Sequence, residues 1–224
     1  MCGRYQTSKK AKEIQEAFDI KIDEKIYKEN YNAAPTQELP LIANNKPGEV
    51  QFFKWGLIPS WSKDEKMAFN MINARIETLN EKPSFKSLVK KTRCMVITDG
   101  YYEWKKIDSS TKQPMRICKQ DESLFAYAGL WTDWKNSEGI IIPTFTIITT
   151  DAYQSLAEIH NRMPVMLNTD AAKAWLMNEL EVEQLQKEMI VQKDLKYYAV
   201  SKLVGNVKNN NPEIMLEEKT DLFG

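Results

Sequence analysis

The chain begins MCGRYQ. The initiator methionine is normally removed when the second residue is small, which would leave Cys2 with a free α-amine beside its thiol. Amine and thiol on neighbouring carbons form a 1,2-aminothiol. With pKa values near about 8 and about 8.5, each is partly nucleophilic at neutral pH, and either can attack a carbonyl. A small residue that suits the trimming enzyme and then frays in solvent has the same sequence, so position 2 needs support from the rest of the chain.

Four other stretches offer it. In DGYYEWKK (99–106) an extended backbone turns Tyr101, Glu103 and Lys105 to one face and Tyr102 and Trp104 to the other. Glu103 is then a carboxylate among aromatics, suited to general acid/base work, or else a strand-edge partner of Lys105. The chain's one histidine, His160, lies in EIHNRMPVML beside Arg162, among polar neighbours that make it a poor core residue. In MINARIETL (71–79), alternation puts Ile72, Ala74 and Ile76 on an apolar face, with Asn73, Arg75 and Glu77 opposite. Asn and Arg two residues apart on one face can hold a sugar or carbonyl oxygen and a phosphate together; an exposed Arg-Glu ladder is the plainer alternative. WGLIPSW (55–61) sets two tryptophans around a proline turn, as core anchors or as a base-stacking platform.

The elements that must position these groups read as short. Helical spacing shows at Ala11, Ile14, Ala17 and Phe18, at Phe85, Leu88 and Val89, and at Ala172, Trp175, Leu176 and Leu180. Between them lie segments rich in β-branched and aromatic residues: CMVIT (94–98), LFAYAGLW (124–131), IIIPTFTIITT (140–150) and YYAV (197–200). Without regular alternation of strand and helix, this predicts an α+β fold with a curved, mostly antiparallel sheet or barrel-like core and short flanking helices. No repeat or linker interrupts residues 1–224, and a single domain is expected.

Thirty-one basic and 31 acidic residues cancel, so any polyanion site is a local patch rather than a global field. No signal peptide and no apolar run of membrane length is readable, which predicts a cytoplasmic protein without a membrane partner. Three well-separated cysteines and one histidine give neither a disulfide framework nor a zinc site, so no metal and no cofactor is expected.

The blocks MCGRY (1–5), YNAAPTQ (31–37), WGLIPSW, INARIET (72–78), RCMVITDGYYEWK (93–105), IHNRMPV (159–165) and VSKLVGNVKN (200–209), in this order, resemble the abasic-site-processing proteins, also called SRAP (SOS response-associated peptidase) proteins. The likeness spans nearly the whole chain. It implies that Cys2 is the nucleophile that links to DNA, that Asn73 orients the opened sugar, that Glu103 is the acid/base and that His160 is a second proton donor. By the same resemblance Arg4, Arg75 and Arg162 contact phosphates, and Pro35, Trp61, Trp104 and Thr149 shape the DNA cleft. The chain departs from many members at Ile97 and Thr98, where Pro-Ala is common, and at Ser62, where some carry a second tryptophan.

The implied partner is single-stranded DNA containing abasic sites, bound by a monomer. An abasic site presents an aldehyde; the α-amine would form a Schiff base and the thiolate would close it to a thiazolidine, intramolecularly and therefore at high effective concentration. Elimination from the Schiff base would give lyase activity, and the family's peptidase name implies autocatalytic removal of Met1. Two other readings share some of these residues. N-terminal-nucleophile amidohydrolases also begin Met-Cys-Gly, but do not resemble WGLIPSW or DGYYEWK. A non-covalent single-strand binder would use the arginines and tryptophans alone.

Overall fold

The computed structural model describes residues 2–218. Its strands are Tyr5–Thr7 (β1), Asn30–Ala33 (β2), Glu38–Ala43 (β3), Gln51–Trp55 (β4), Asn73–Arg75 (β5), Arg93–Thr98 (β6), Gly100–Lys106 (β7), Lys112–Lys119 (β8), Phe125–Lys135 (β9), Ile141–Asp151 (β10), Arg162–Pro164 (β11), Met166–Leu167 (β12) and Leu195–Ala199 (β13). The helices are Ala11–Phe18 (α1), Met67–Asn70 (α2), Pro83–Lys86 (α3), Leu88–Lys91 (α4), Gln154–Ala157 (α5) and Thr169–Leu176 (α6).

The longest strands, β9 and β10, pair antiparallel with each other, and the sheet returns from β10 through β4, β3 and β6 to β9. Five strands thus close into a barrel, which removes the unpaired edges an open sheet would leave. The fold class is as the strand and helix patterns predict. Two pairings depart from the antiparallel rule: β4 and β5 both run parallel to β10. The second sets Asn73 level with Ile147, and Arg75 level with Thr149.

A second sheet has the order β13-β8-β7-β1-β2. One face packs on the barrel: the Tyr5 ring lies 5.1 Å from Trp55 and 5.9 Å from Tyr127, both edge-on. The opposite face carries a small separate core of Tyr102, Val200, Val204 and Ile214, with Trp104 packed against it. The alternation read along DGYYEWKK therefore holds, with Tyr101 and Glu103 inward and Tyr102 and Trp104 outward.

The third helical stretch ends earlier than its spacing suggests. α6, capped by the Asn168 carboxamide oxygen accepting from the Ala171 N–H at 2.9 Å, stops at Leu176, and Leu180 is buried in the loop beyond. The 85–89 stretch is two single turns, α3 and α4, broken at Ser87. No helix among the described residues is long and apolar enough to cross a membrane.

The chain's start is fastened by the β6–β7 corner. Buried Asp99 accepts from the Gln6 amide (3.0 Å), the Ser8 N–H (2.7 Å) and the Ser8 hydroxyl (2.6 Å), and the Thr98 hydroxyl donates to the Gln6 carbonyl at 2.8 Å. Thr98 thus adds a bond to β1, and β6 stays intact through its last residue.

Candidate active site

β1 pairs with β7 through Tyr5 and Tyr101, and the Tyr102 N–H donates to the Arg4 carbonyl at 2.9 Å, which carries the pairing toward the terminus. Cys2 consequently lies inside the main core, with no exposed surface. Asn73, brought in by β5, donates its side-chain N–H to the Cys2 carbonyl at 2.9 Å. Among the described residues, the buried Asn73 oxygen has no hydrogen-bond partner. Burial, and next the negative charge of Glu103, push the Cys2 thiol well above the ordinary cysteine range, so the free protein holds it protonated.

Glu103 is itself buried, and its carboxylate accepts from the Trp104 N–H at 3.3 Å. Lys105, its expected alternative partner, instead pairs with Glu158 at 2.8 Å. Tyr101, Glu103, His160 and Arg162 line one small pocket with Ile117, Leu156 and Ile159. The His160 Nδ1 accepts from the Arg162 backbone N–H at 3.0 Å, so the neutral ring carries its proton on Nε2.

The three arginines have different surroundings. Arg75 is exposed and lines a 530 Å³ cleft with Asn73, Phe69, Lys82 and Phe85. Arg4 is half-buried, 6.0 Å from the centre of the Trp104 ring, and donates to the Asn32 side-chain oxygen (3.0 Å) and the Val204 carbonyl (3.3 Å). Burial lowers its pKa. Arg162 is buried, and donates to both Glu77 oxygens (2.7 and 3.0 Å), to Asp151 (2.6 Å) and to the Thr149 carbonyl (2.8 Å). Burial works against its charge, but the hydrogen bonds to Glu77 and Asp151 outweigh it and raise its pKa.

The two tryptophans of WGLIPSW differ in burial. Trp55 is a core anchor, its ring N–H donating to the Ile72 carbonyl at 2.9 Å, whereas Trp61 is 64% exposed. Ser62 faces inward, buried, with its hydroxyl donating to the Asp64 carbonyl. Pro35 is half-buried in the turn after β2, where Thr36 takes a positive φ of 73°. Thr149 is buried on β10, its hydroxyl 3.4 Å from the Ala74 carbonyl.

Sequence reasoning passed over Asn32. Its buried amide joins Arg4 to the 204–209 loop, donating to the carbonyls of Val204 (3.2 Å), Asn206 (3.1 Å) and Asn209 (2.8 Å). An asparagine at a strand position, where that residue is disfavoured, was the available signal.

A barrel and a sheet thus bring the Asn73 amide onto the Cys2 carbonyl and set the charge of Glu103 on the Cys2 thiol, and Glu103 in turn shares a small pocket with the His160 imidazole. The family model described as SOS response associated peptidase (SRAP) matches residues 1–207, and the chain belongs to that family. It is 42% identical to the abasic site processing protein YoqW of Bacillus subtilis (strain 168), over 96% of this chain and 99% of that one. It is 32% identical to the abasic site processing protein HMCES of Xenopus tropicalis, over 84% of this chain and 66% of that one. A crystal structure of a Bacteroides thetaiotaomicron protein matches 97% of this chain and all of its own, with a TM-score of 0.85 at 29% identity.

Proposed function

We propose that this chain senses abasic sites in single-stranded DNA and joins to them covalently through Cys2, shielding the lesion. The observation that carries this reading is the Asn73 side chain on the Cys2 carbonyl, with the charge of Glu103 bearing on the thiol. Related proteins named for abasic-site processing support the same class of substrate.

Removal of Met1 exposes the Cys2 amine, which adds to the aldehyde of the opened sugar and loses water to give an imine. The sulfur then adds to the imine carbon; the thiol proton leaves through Glu103 and the nitrogen gains one, closing a five-membered thiazolidine. Glu103 also relays the proton needed to open the sugar, and His160 exchanges one with the sugar hydroxyl. The unpartnered Asn73 oxygen is an acceptor for that opened sugar. Arg4 and Arg75 hold flanking phosphates, with Arg162 a third contact once its carboxylates yield. Pro35, Trp61, Trp104 and Thr149 shape the path of the strand. Elimination from the imine gives lyase activity when the ring does not close, and Met1 removal is the self-processing step. The protein acts as a single-domain monomer in the cytoplasm, without metal or cofactor.

The test is intact mass before and after incubation with an abasic single-stranded oligonucleotide. Active protein should lack Met1 and gain the mass of the oligonucleotide less one water. Cys2→Ser should lose the heat-stable adduct while remaining trappable by borohydride. A wild-type yield of heat-stable adduct from Cys2→Ser would remove the sulfur from the mechanism.

A further inference from the structure

Glu77 has no part in the proposed reaction, yet it ties the Asn73 side of the site to the His160 side. It lies in the 3-10 turn Ile76–Thr78 that follows β5, two residues beyond Arg75. Both of its carboxylate oxygens engage Arg162, 85 residues away, at 2.7 and 3.0 Å. A two-pronged contact of this kind fixes the plane of the guanidinium as well as its distance. The Thr149 carbonyl and the antiparallel pairing of Asp151 with Arg162 hold the same residue from β10. The next link is main chain: the Arg162 N–H donates to the His160 Nδ1 at 3.0 Å.

We infer that Glu77 is a positioning residue for His160: its fork on Arg162 holds the Arg162 N–H against the imidazole Nδ1 and so keeps the ring in its Nε2–H tautomer. The inference rests on the reading that His160 acts at the opened sugar. Hydrogen bonding from Arg162 holds the Glu77 carboxyl below the usual glutamate range, so the fork is charged and intact throughout neutral pH. Asp151 also touches Arg162, but through one oxygen and with its side chain 85% exposed, and so contributes less orientation. An opposite role is available to the same carboxylate. As a rival for DNA phosphate it would weaken binding, and its removal would tighten it.

The chain has one histidine, so nitrogen NMR of the imidazole reports this ring alone. With the ring neutral, the wild-type protein should give one acceptor-type and one N–H-type nitrogen. In Glu77→Gln the two signals should move toward each other as the tautomers mix. Glu77→Asp, which keeps the charge, should shift them only part of the way, and supplies the reading should Glu77→Gln fail to fold. Asp151→Asn should leave them in place.

In the adduct assay, Glu77→Gln should slow the His160-dependent step about tenfold, the scale for a residue that orients a reacting imidazole. In a His160→Gln background it should cost less than about twofold, because two residues acting through one path are not additive. Unmoved ring signals in Glu77→Gln, an equal response from Asp151→Asn, additive rate effects, or tighter binding of undamaged single-stranded oligonucleotide by Glu77→Gln would each overturn the inference. Absence of adduct from wild-type protein, with the ring response intact, would sink the functional reading and leave the positioning role standing.

Discussion

Arg75 and Arg162 flank β10 on opposite sides, and their surroundings could hardly differ more. Arg75 stands exposed on β5 at a 530 Å³ cleft. Arg162 is buried on β11 with two carboxylates and a carbonyl on its terminal nitrogens. The family resemblance implies the same phosphate contact for both. An exposed guanidinium keeps its hydration and can trade water for phosphate at little cost. A buried one already holds the partners that make its burial tolerable, and any phosphate must compete with them. Charges of one sign therefore differ in what a phosphate contact would cost: little at Arg75, and the displacement of existing partners at Arg162.

The largest break in this comparison should come from Arg162→Ala. It leaves Glu77 and Asp151 without their shared cation, and should lower unfolding free energy by about 2 kcal/mol, the scale for lost hydrogen bonds to charged groups. Denaturant unfolding measures it, and an equal loss in Arg75→Ala would erase the distinction.

Arg75→Ala should instead change stability by no more than about 0.5 kcal/mol, as expected for an exposed side chain. Its effect should appear in binding. The slope of log affinity for single-stranded DNA against log salt should flatten by about 0.7, the signature of one lost phosphate contact. An unchanged slope would place the strand elsewhere.

The smallest effect sharpens the buried half of the comparison. The hydrogen bond from Arg162 lowers the Glu77 pKa in the folded protein, so the pair's stabilisation is complete above the ordinary glutamate value of about 4.3. It is lost as pH falls through the lower folded value. The melting-temperature gap between wild type and Glu77→Gln should therefore be widest near about pH 7 and close toward about pH 3. A gap that stays constant would mean that the fork's charge contributes nothing.

Features set by alternation within one segment were legible in the sequence. The two faces of β7, the apolar side of 72–76 and the helix at 11–18 needed only a period and residue types. Features set by chain crossings were not. Nothing local to 73–75 announces a parallel pairing with β10, although that pairing delivers Asn73 to Cys2. Glu77 read as a neighbour of Arg75 on one strand face, whereas β5 ends at Arg75 and the Glu77 carboxylate engages Arg162. The MPVM run (163–166) carries no local mark of a break. It divides at Val165, where the chain passes from β10 to β9, giving β11 to the first and β12 to the second. The chemical groups themselves came from the family resemblance and from the types of a few residues, and the fold brings Cys2, Asn73 and Glu103 together with His160 at the neighbouring pocket.

Under the proposed function, the burial of Cys2 bears on how long the protein lasts between encounters with damaged DNA. Peroxides and electrophilic metabolites consume thiolates that they can reach. A sulfur with no exposed surface, held as the protonated thiol, offers them neither access nor the reactive form. Conditions that oxidise a cell's contents also damage its DNA, so under the function proposed above a nucleophile kept in this state is still intact when abasic sites become abundant.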